Sequence, residues 1–291
     1  MSRLNVQPTS DEFAFLKAHT TIKDEEHLRK HILKVQEEAY QIYPYPCIRN
    51  FMFLVPKVAL SPVYEQLLKL GKDRKGAIFL DIGCAFGNDI RTTIADGYPM
   101  ENVVASDLRP HFWNLGLKLF MSNPETFTVP FIPGDVFDLN FLKPVAPFYT
   151  APDTLRPDLH ALTSLTPLLG HVSAIHAGML FHLFDEEKQT HLAHAVAGLL
   201  SPEPGSLIFG SHVGKPQKGT QMLMWPESSM LMFCHSPETW EAMWDGQVFN
   251  KGTVKVEAVL KPLDAKERAR LEMEVEGDVQ LYNMLWSVTR V

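Results

Sequence analysis

The stretch "FLDIGCAFGNDI", Phe79 to Ile90, constrains this chain most. An apolar run ends in Asp81, Gly83 and Gly87 follow, and a helical pattern starts at once. A buried strand that runs through a glycine-rich turn into a helix is the pattern of a parallel α/β sheet, with the turn at the carboxyl ends of the strands. There the glycines let the backbone pass close to a ligand.

The same rhythm repeats downstream. "AIFLDI", "NVVAS", "FTVPFI", "HVSAIHA" and "GSLIFGSHV" read as strands. "NDIRTTIADG", "HFWNLGLKLFM", "DLHALTSLTPLL" and "DEEKQTHLAHAVAGLL" read as the helices between them. Such alternation implies right-handed crossovers and a mainly parallel, Rossmann-like sheet with helices on both faces. "TVKVEAVL" and "QLYNMLWSVTRV" supply two further strands, giving seven. Little helix lies between those two, so the last is expected to be antiparallel. Upstream, residues 21–43 read as a helix with a capping box at Thr21 and Asp24. "SPVYEQLLKL" reads as another, with Ser61 as N-cap, Pro62 at the first position and Gly71 as stop. The organisation expected is an N-terminal helical cap over 1–75 and a sheet domain over 76–291, forming one compact unit. The segment 214–250 interrupts the rhythm after strand five with methionines and tryptophans, and Ser236 and Pro237 open a helix in its second half.

Bulk properties exclude some functions. The chain has 291 residues and a net charge of -7, with no run of Lys or Arg. A nucleic-acid partner or a membrane surface is therefore not expected, since both need a concentrated basic face. No stretch of about 18 apolar residues is present, so no membrane span is expected. Residues 1–13 lack the apolar core of a secretory signal, and three scattered cysteines suit a reduced, cytoplasmic protein.

Which ligand the turn serves follows from its chemistry. A nucleoside triphosphate needs GxxxxGK[ST], but Gly87 is followed by Asn88 and Asp89, an acid facing any phosphate. A dinucleotide needs GxGxxG, and the spacing of Gly83, Ala85 and Gly87 departs from it. A nicotinamide-dependent oxidoreductase is thus the rival enzyme reading, and a non-catalytic binding module the rival outside enzymes. S-adenosylmethionine carries no phosphate but does carry a ribose, an amino group and a sulfonium. "DIGCAFG" resembles motif I of the class I methyltransferases, [DE]xGxGxG, with Ala85 in place of the middle glycine. The resemblance implies S-adenosylmethionine as cofactor. Asp81 would serve its methionine end, and Gly83, Cys84, Ala85 and Gly87 would let the backbone approach. Asp107, at the end of strand two and twenty residues past Gly87, is placed to accept the ribose hydroxyls, with Leu108 beside it. Asp135 in "GDVFDL" would contact the adenine amine, with Val136 and Phe137 along the ring.

The chain also resembles a narrower family, the fungal methyltransferases of meroterpenoid pathways, which methylate a carboxylic acid on a prenylated aromatic or terpenoid intermediate. The segments that carry this are "YPYPCIRNFMFL" (43–54), "LDIGCAFGNDIR" (80–91), "SDLRPHFWNLGLKLF" (106–120), "GDVFDL" (134–139), "IHAGMLFHLFDEEKQ" (175–189) and "PEPGSLIFGSHVG" (202–214). It implies an O-methyltransferase of an apolar secondary metabolite. A phenol, hydroxyl, nitrogen or carbon acceptor is the alternative. His176 and His182, beside strand four, are the catalytic candidates, to orient a carboxylate or accept a proton. The family's use of "YPYPC" points to Tyr45 over the cofactor. Tyr43, Phe51, His212, Met224 and Trp225 are the candidate substrate contacts. Arg49 and Arg91 are possible carboxylate partners. The Met/Trp segment suits a flat apolar substrate, with core packing or a homodimer contact as its competing uses. No metal site is expected: His191 and His194 share a helix face without a third ligand.

Overall fold

The computed structural model describes residues 8–225, 228–270, 272 and 280–291, so the reading of the first seven residues lies outside it, as do Pro226 and Glu227 of the methionine-rich segment. Among the described residues no helix is long and apolar enough to cross a membrane.

The cap comes first. Thr9 closes a capping box with Glu12 and starts helix α1, Ser10–His19, which the sequence reading had not placed. Helix α2, Glu25–Ile42, is capped by Asp24 itself, whose side chain accepts from the His27 N–H at 2.7 Å. The box expected at Thr21 is therefore not used, because Thr21 stands too far outside the first turn. Leu28, Ile32, Val35 and Ala39 are the buried stripe of α2. A short α3, Pro46–Arg49, opens on the second of the two prolines, Pro44 and Pro46, that follow α2. Helix α4 runs Tyr64–Asp73, begins later than Ser61, and passes through Gly71 instead of ending there. Glycine is needed at this interior helix position because a Cβ there would sit 2.5 Å from the ring of Tyr98.

The sheet domain then alternates as expected: β1 Ile78–Ile82, α5 Asn88–Ala95, β2 Val103–Asp107, α6 Pro110–Leu119, β3 Phe131–Pro133, β4 Val172–Gly178, α7 Glu186–Leu199 and β5 Leu207–Gly214. One expected helix is absent. "DLHALTSLTPLL" forms two single 3₁₀ turns, Leu159–Ala161 and Thr166–Leu168, inside a long irregular crossover. Pro167 cannot donate in a helix interior, and the Leu165 and Thr166 N–H groups both bond to the Phe141 carbonyl instead.

After β5 comes a hairpin of β6, Gly219–Trp225, and β7, Ser228–Cys234, followed by α8, Pro237–Trp244, with Ser236 as its N-cap. Strand β8, Val254–Pro262, short α9, Ala265–Arg270, and β9, Tyr282–Arg290, complete the chain. The main sheet has the order β3-β2-β1-β4-β5-β9-β8, and the hairpin forms a second sheet of its own. Strands β1 to β5 pair in parallel; β9 inserts antiparallel between β5 and β8. This is the Rossmann-like class I methyltransferase architecture. Strand order reverses at β1, with β2 on one side and β4 on the other, which opens a crevice at their carboxyl ends.

The cap shares a core with the sheet domain: Leu28, Ile32 and Phe51 pack with Phe86 of the glycine turn and with Phe112, Leu115 and Leu119 of α6. That packing depends on Gly116, where an added Cβ would lie 2.1 Å from the Phe86 carbonyl oxygen. Gly116→Ala should therefore push the glycine turn off α6. The expected cost is about 1–3 kcal/mol of stability, read by denaturant melts, with weaker cofactor binding.

Candidate active site

The turn after β1 is shaped by three left-handed residues. Gly83 has φ 76°, Ala85 φ 46° and Gly87 φ 73°. Ala85 thus takes the conformation that a glycine adopts freely, at a cost on the order of 1 kcal/mol. The turn is bolted to the end of β2. The Gly83 and Cys84 N–H groups donate to the Ser106 carbonyl at 2.8 and 3.1 Å, and the Ala85 N–H donates to Asp107 Oδ2 at 2.9 Å. Gly87 is packed tightly as well, since a Cβ there would meet Trp113 at 2.8 Å.

Three acids stand along this edge. Asp81 and His176 face each other in register across β1 and β4, both buried, with Oδ1 and Nδ1 2.8 Å apart. Burial raises the Asp81 carboxyl pKa and His176 opposes it. Burial disfavours the charged His176 ring, but Asp81 outweighs that and its pKa is raised. The second oxygen, Asp81 Oδ2, is buried with no partner among the described residues. Asp107 accepts the Ala85 N–H on one oxygen and the Arg109 N–H, at 2.8 Å, on the other. Burial raises its pKa. Each carboxylate oxygen keeps a second lone pair for a ligand. Leu108 beside it is 58% exposed. Asp135 is exposed, and its Oδ1 accepts the Phe137 N–H at 2.9 Å, which shapes the loop after β3; Val136 and Phe137 are half-buried.

These groups suit S-adenosylmethionine. Asp81 Oδ2 offers a buried acceptor for the amino group, the left-handed turn gives backbone clearance, Asp107 offers acceptors for the ribose, and Leu108, Val136 and Phe137 give an apolar strip for the adenine. The Asp81, Asp89 and His176 ligand atoms lie within 4.8 Å of one another. Asp89 Oδ1 is already taken by the Lys57 and Val58 N–H groups, at 2.5 and 2.8 Å.

The cap reaches the same edge. The Tyr43 and Tyr45 rings lie 4.2 Å apart, and the Arg109 guanidinium stacks over Tyr43 at 4.2 Å. Burial raises the Tyr45 hydroxyl pKa, and a hydrogen bond from Arg109 opposes that. Phe51 is placed differently from its expected substrate role: it is fully buried in the cap core, at φ 58°, and presents no surface to a ligand. Arg49 and Arg91 are both engaged elsewhere. Arg49 pairs with Glu272 at 3.0 Å, and Arg91 lies over the Phe120 and Phe127 rings and donates to Ser122.

The histidines cluster by a different logic. His182 is buried in the 3₁₀ turn Phe181–Leu183 just after β4, and β7 packs against that turn. Burial, then the nearby Lys57 charge, lowers its pKa to about 4, and its Nδ1 has no partner among the described residues. His212 is fully buried among Phe181, Trp240 and Trp286, and its Nδ1 accepts from Trp286 Nε1 at 2.8 Å. Burial holds its pKa well below the usual value. His235 contacts Thr239 Oγ1 at 3.0 Å and is lowered to about 4, again chiefly by burial. His191 and His194 sit on α7, the first exposed and edge-on to Phe137. The hairpin is pinned by Gln189, whose Nε2 donates to the Phe184 and Phe233 carbonyls at 2.9 Å each. Met224 and Trp225 are both partly exposed on it, with Trp225 packed towards Leu223 and Met232.

Sequence reasoning missed three residues here: Lys57, Asp89 as a clamp, and Arg109. Only Asp89 carried a signal, as an acid in the first turn of the helix that follows the glycines.

A family model for the meroterpenoid methyltransferase N-terminal domain matches residues 2–54. The chain is 31% identical over 235 residues to the O-methyltransferase atr3 of Stereocaulon alpinum, covering 80% of this chain and 61% of that protein, so it spans less than two thirds of that relative. It is 31% identical over 252 residues to the O-methyltransferase phiE of a fungal species, covering 86% of this chain and 74% of the relative. It is 31% identical over 231 residues to the Asnovolin E/Chermesin D methyltransferase nvfJ of Aspergillus novofumigatus, covering 79% and 73%.

Proposed function

We propose that this chain, which belongs to the fungal methyltransferases of the meroterpenoid type, methylates a carboxylate oxygen of an apolar aromatic or terpenoid metabolite. Family membership makes it an O-methylating enzyme that uses S-adenosylmethionine, and sets aside the oxidoreductase and non-catalytic readings. The bound cofactor supplies an electrophilic methyl group, so the protein's work is to hold two partners in line and keep water out.

The strength of the available bases supports a carboxylate. His182 and His235 are lowered to about 4, and His176 is tied to Asp81. Drawing a proton from a phenol, with pKa about 10, onto a base near 4 is uphill by roughly 8 kcal/mol. A carboxylic acid arrives already ionised and needs no base. His182 then acts as a neutral N–H donor that orients the carboxylate. His176 holds Asp81 towards the cofactor. Asp135 and Tyr45 close over the adenosine, while Tyr43, Met224 and Trp225 line the substrate side. His212 supports this wall from behind.

Calorimetry tests the cofactor half: S-adenosylmethionine should bind and NAD should not. The hairpin is tested by Met224→Ala and Trp225→Ala, each expected to lower kcat/KM for a bulky acid by about 1–3 kcal/mol with cofactor affinity unchanged. Unchanged kinetics with lowered stability or a split oligomer would make the hairpin core or interface instead.

A further inference from the structure

A carboxylate substrate held beside a buried imidazole needs a cation, and three arginines of this region are already committed. Arg49 faces Glu272, Arg91 lies between Phe120 and Phe127, and Arg109 is stacked on Tyr43. Lys57 is half-buried in the strap between α3 and α4. Among the described residues no carboxylate pairs with its ammonium; Nζ donates to the Met52 carbonyl at 3.2 Å. Its backbone is fixed to the site, because the Lys57 and Val58 N–H groups both donate to Asp89, whose carboxylate lies within 4.8 Å of Asp81 and His176. The charge of Lys57 is felt at His182, His176 and Cys47.

We propose that the Lys57 ammonium anchors the carboxylate of the substrate, with His182 as the second donor. The inference rests on the carboxyl methylation argued above. Lysine suits the task. A point charge can hold one oxygen and leave the other free to attack, whereas a planar arginine fork would hold both. The cofactor also carries a carboxylate, and its amino end has Asp81; cofactor affinity is therefore a separate readout in the test.

The test uses the full chain saturated with S-adenosylhomocysteine, titrated with abietic acid and, in parallel, its methyl ester. Wild type should bind the acid at least tenfold tighter than the ester. Lys57→Met and Lys57→Gln should bind both equally, with affinity for S-adenosylhomocysteine within twofold of wild type; that affinity also reports correct folding. Three results would overturn the proposal. Wild type shows no preference for the acid, the variants keep the preference, or S-adenosylhomocysteine affinity falls tenfold, which would assign Lys57 to the cofactor's own carboxylate. Methyl transfer from S-adenosylmethionine to the acid, assayed with the same wild-type protein, separates loss of the anchor from loss of the function.

Discussion

Asp81→Ala should nearly abolish cofactor binding and lower stability by up to roughly 3–5 kcal/mol, the usual cost of removing one partner of a buried pair. Asp81 does two things at once. One oxygen holds His176 at 2.8 Å, and the other is a buried acceptor with no protein partner among the described residues. Without it His176 sheds its proton instead of remaining buried and charged, so the loss deepens as pH falls. Asp81→Asn keeps a hydrogen bond to His176 while removing the charge, so it should retain more stability than Asp81→Ala and still bind cofactor poorly. Denaturant melts and calorimetry separate the two effects. Unchanged cofactor affinity in both variants would remove Asp81 from the site.

The second large effect is on stability against pH. His182 is lowered from the ordinary 6.5 to about 4 by burial and Lys57. Between those values the unfolded chain takes up a proton that the folded chain refuses. The contribution of His182 is therefore complete above pH 6.5 and lost as pH falls towards 4, by about 3 kcal/mol. His212 and His235 are lowered as well and act in the same direction. His176 has the opposite sign: its pKa is raised, so its stabilisation is complete below 6.5 and fades as pH climbs through the raised value. The protein should be most stable near neutrality, with an acid limb set by the three lowered histidines and partly offset by Asp81 and Asp107, whose raised pKa values favour the folded state as pH falls. His182→Gln should flatten that limb measurably. An acid limb of unchanged slope in His182→Gln would mean that the ring charges freely in the folded state.

Most of the frame was legible because strand and helix periods are written in apolar residues. The five buried residues of β1 and the stripe of α2 read directly from the sequence, and Asp81, Asp107 and Asp135 fall at strand ends as the motifs imply. The errors have physical causes. "DLHALTSLTPLL" carries helical spacing, but Pro167 and the Phe141 carbonyl claim its backbone groups. The hairpin gave no strand signal because both of its faces are apolar: exposed Met222 and buried Leu223 differ in burial without differing in polarity, and Met224 and Trp225 follow, both partly exposed. Phe51 read as a substrate contact because an aromatic beside the tyrosines carries no mark of which way it turns; it is buried in the core. Lys57 was invisible for a stronger reason. A lone lysine in an ordinary loop becomes a candidate only when the partners of Arg49 and Arg91 are known.

The acceptor in the proposed reaction is an oxygen already ionised on arrival. Labelled methyl transfer from S-adenosylmethionine should be followed in one assay on matched apolar acids and phenols of the same carbon skeleton, with the products separated by mass spectrometry. Label should appear in methyl esters, at a kcat/KM that stays flat from about pH 6 to about pH 8 because no enzyme base must be freed. Label in phenol ethers with none in esters, at a rate that climbs with the deprotonation of a group in the enzyme, would contradict it.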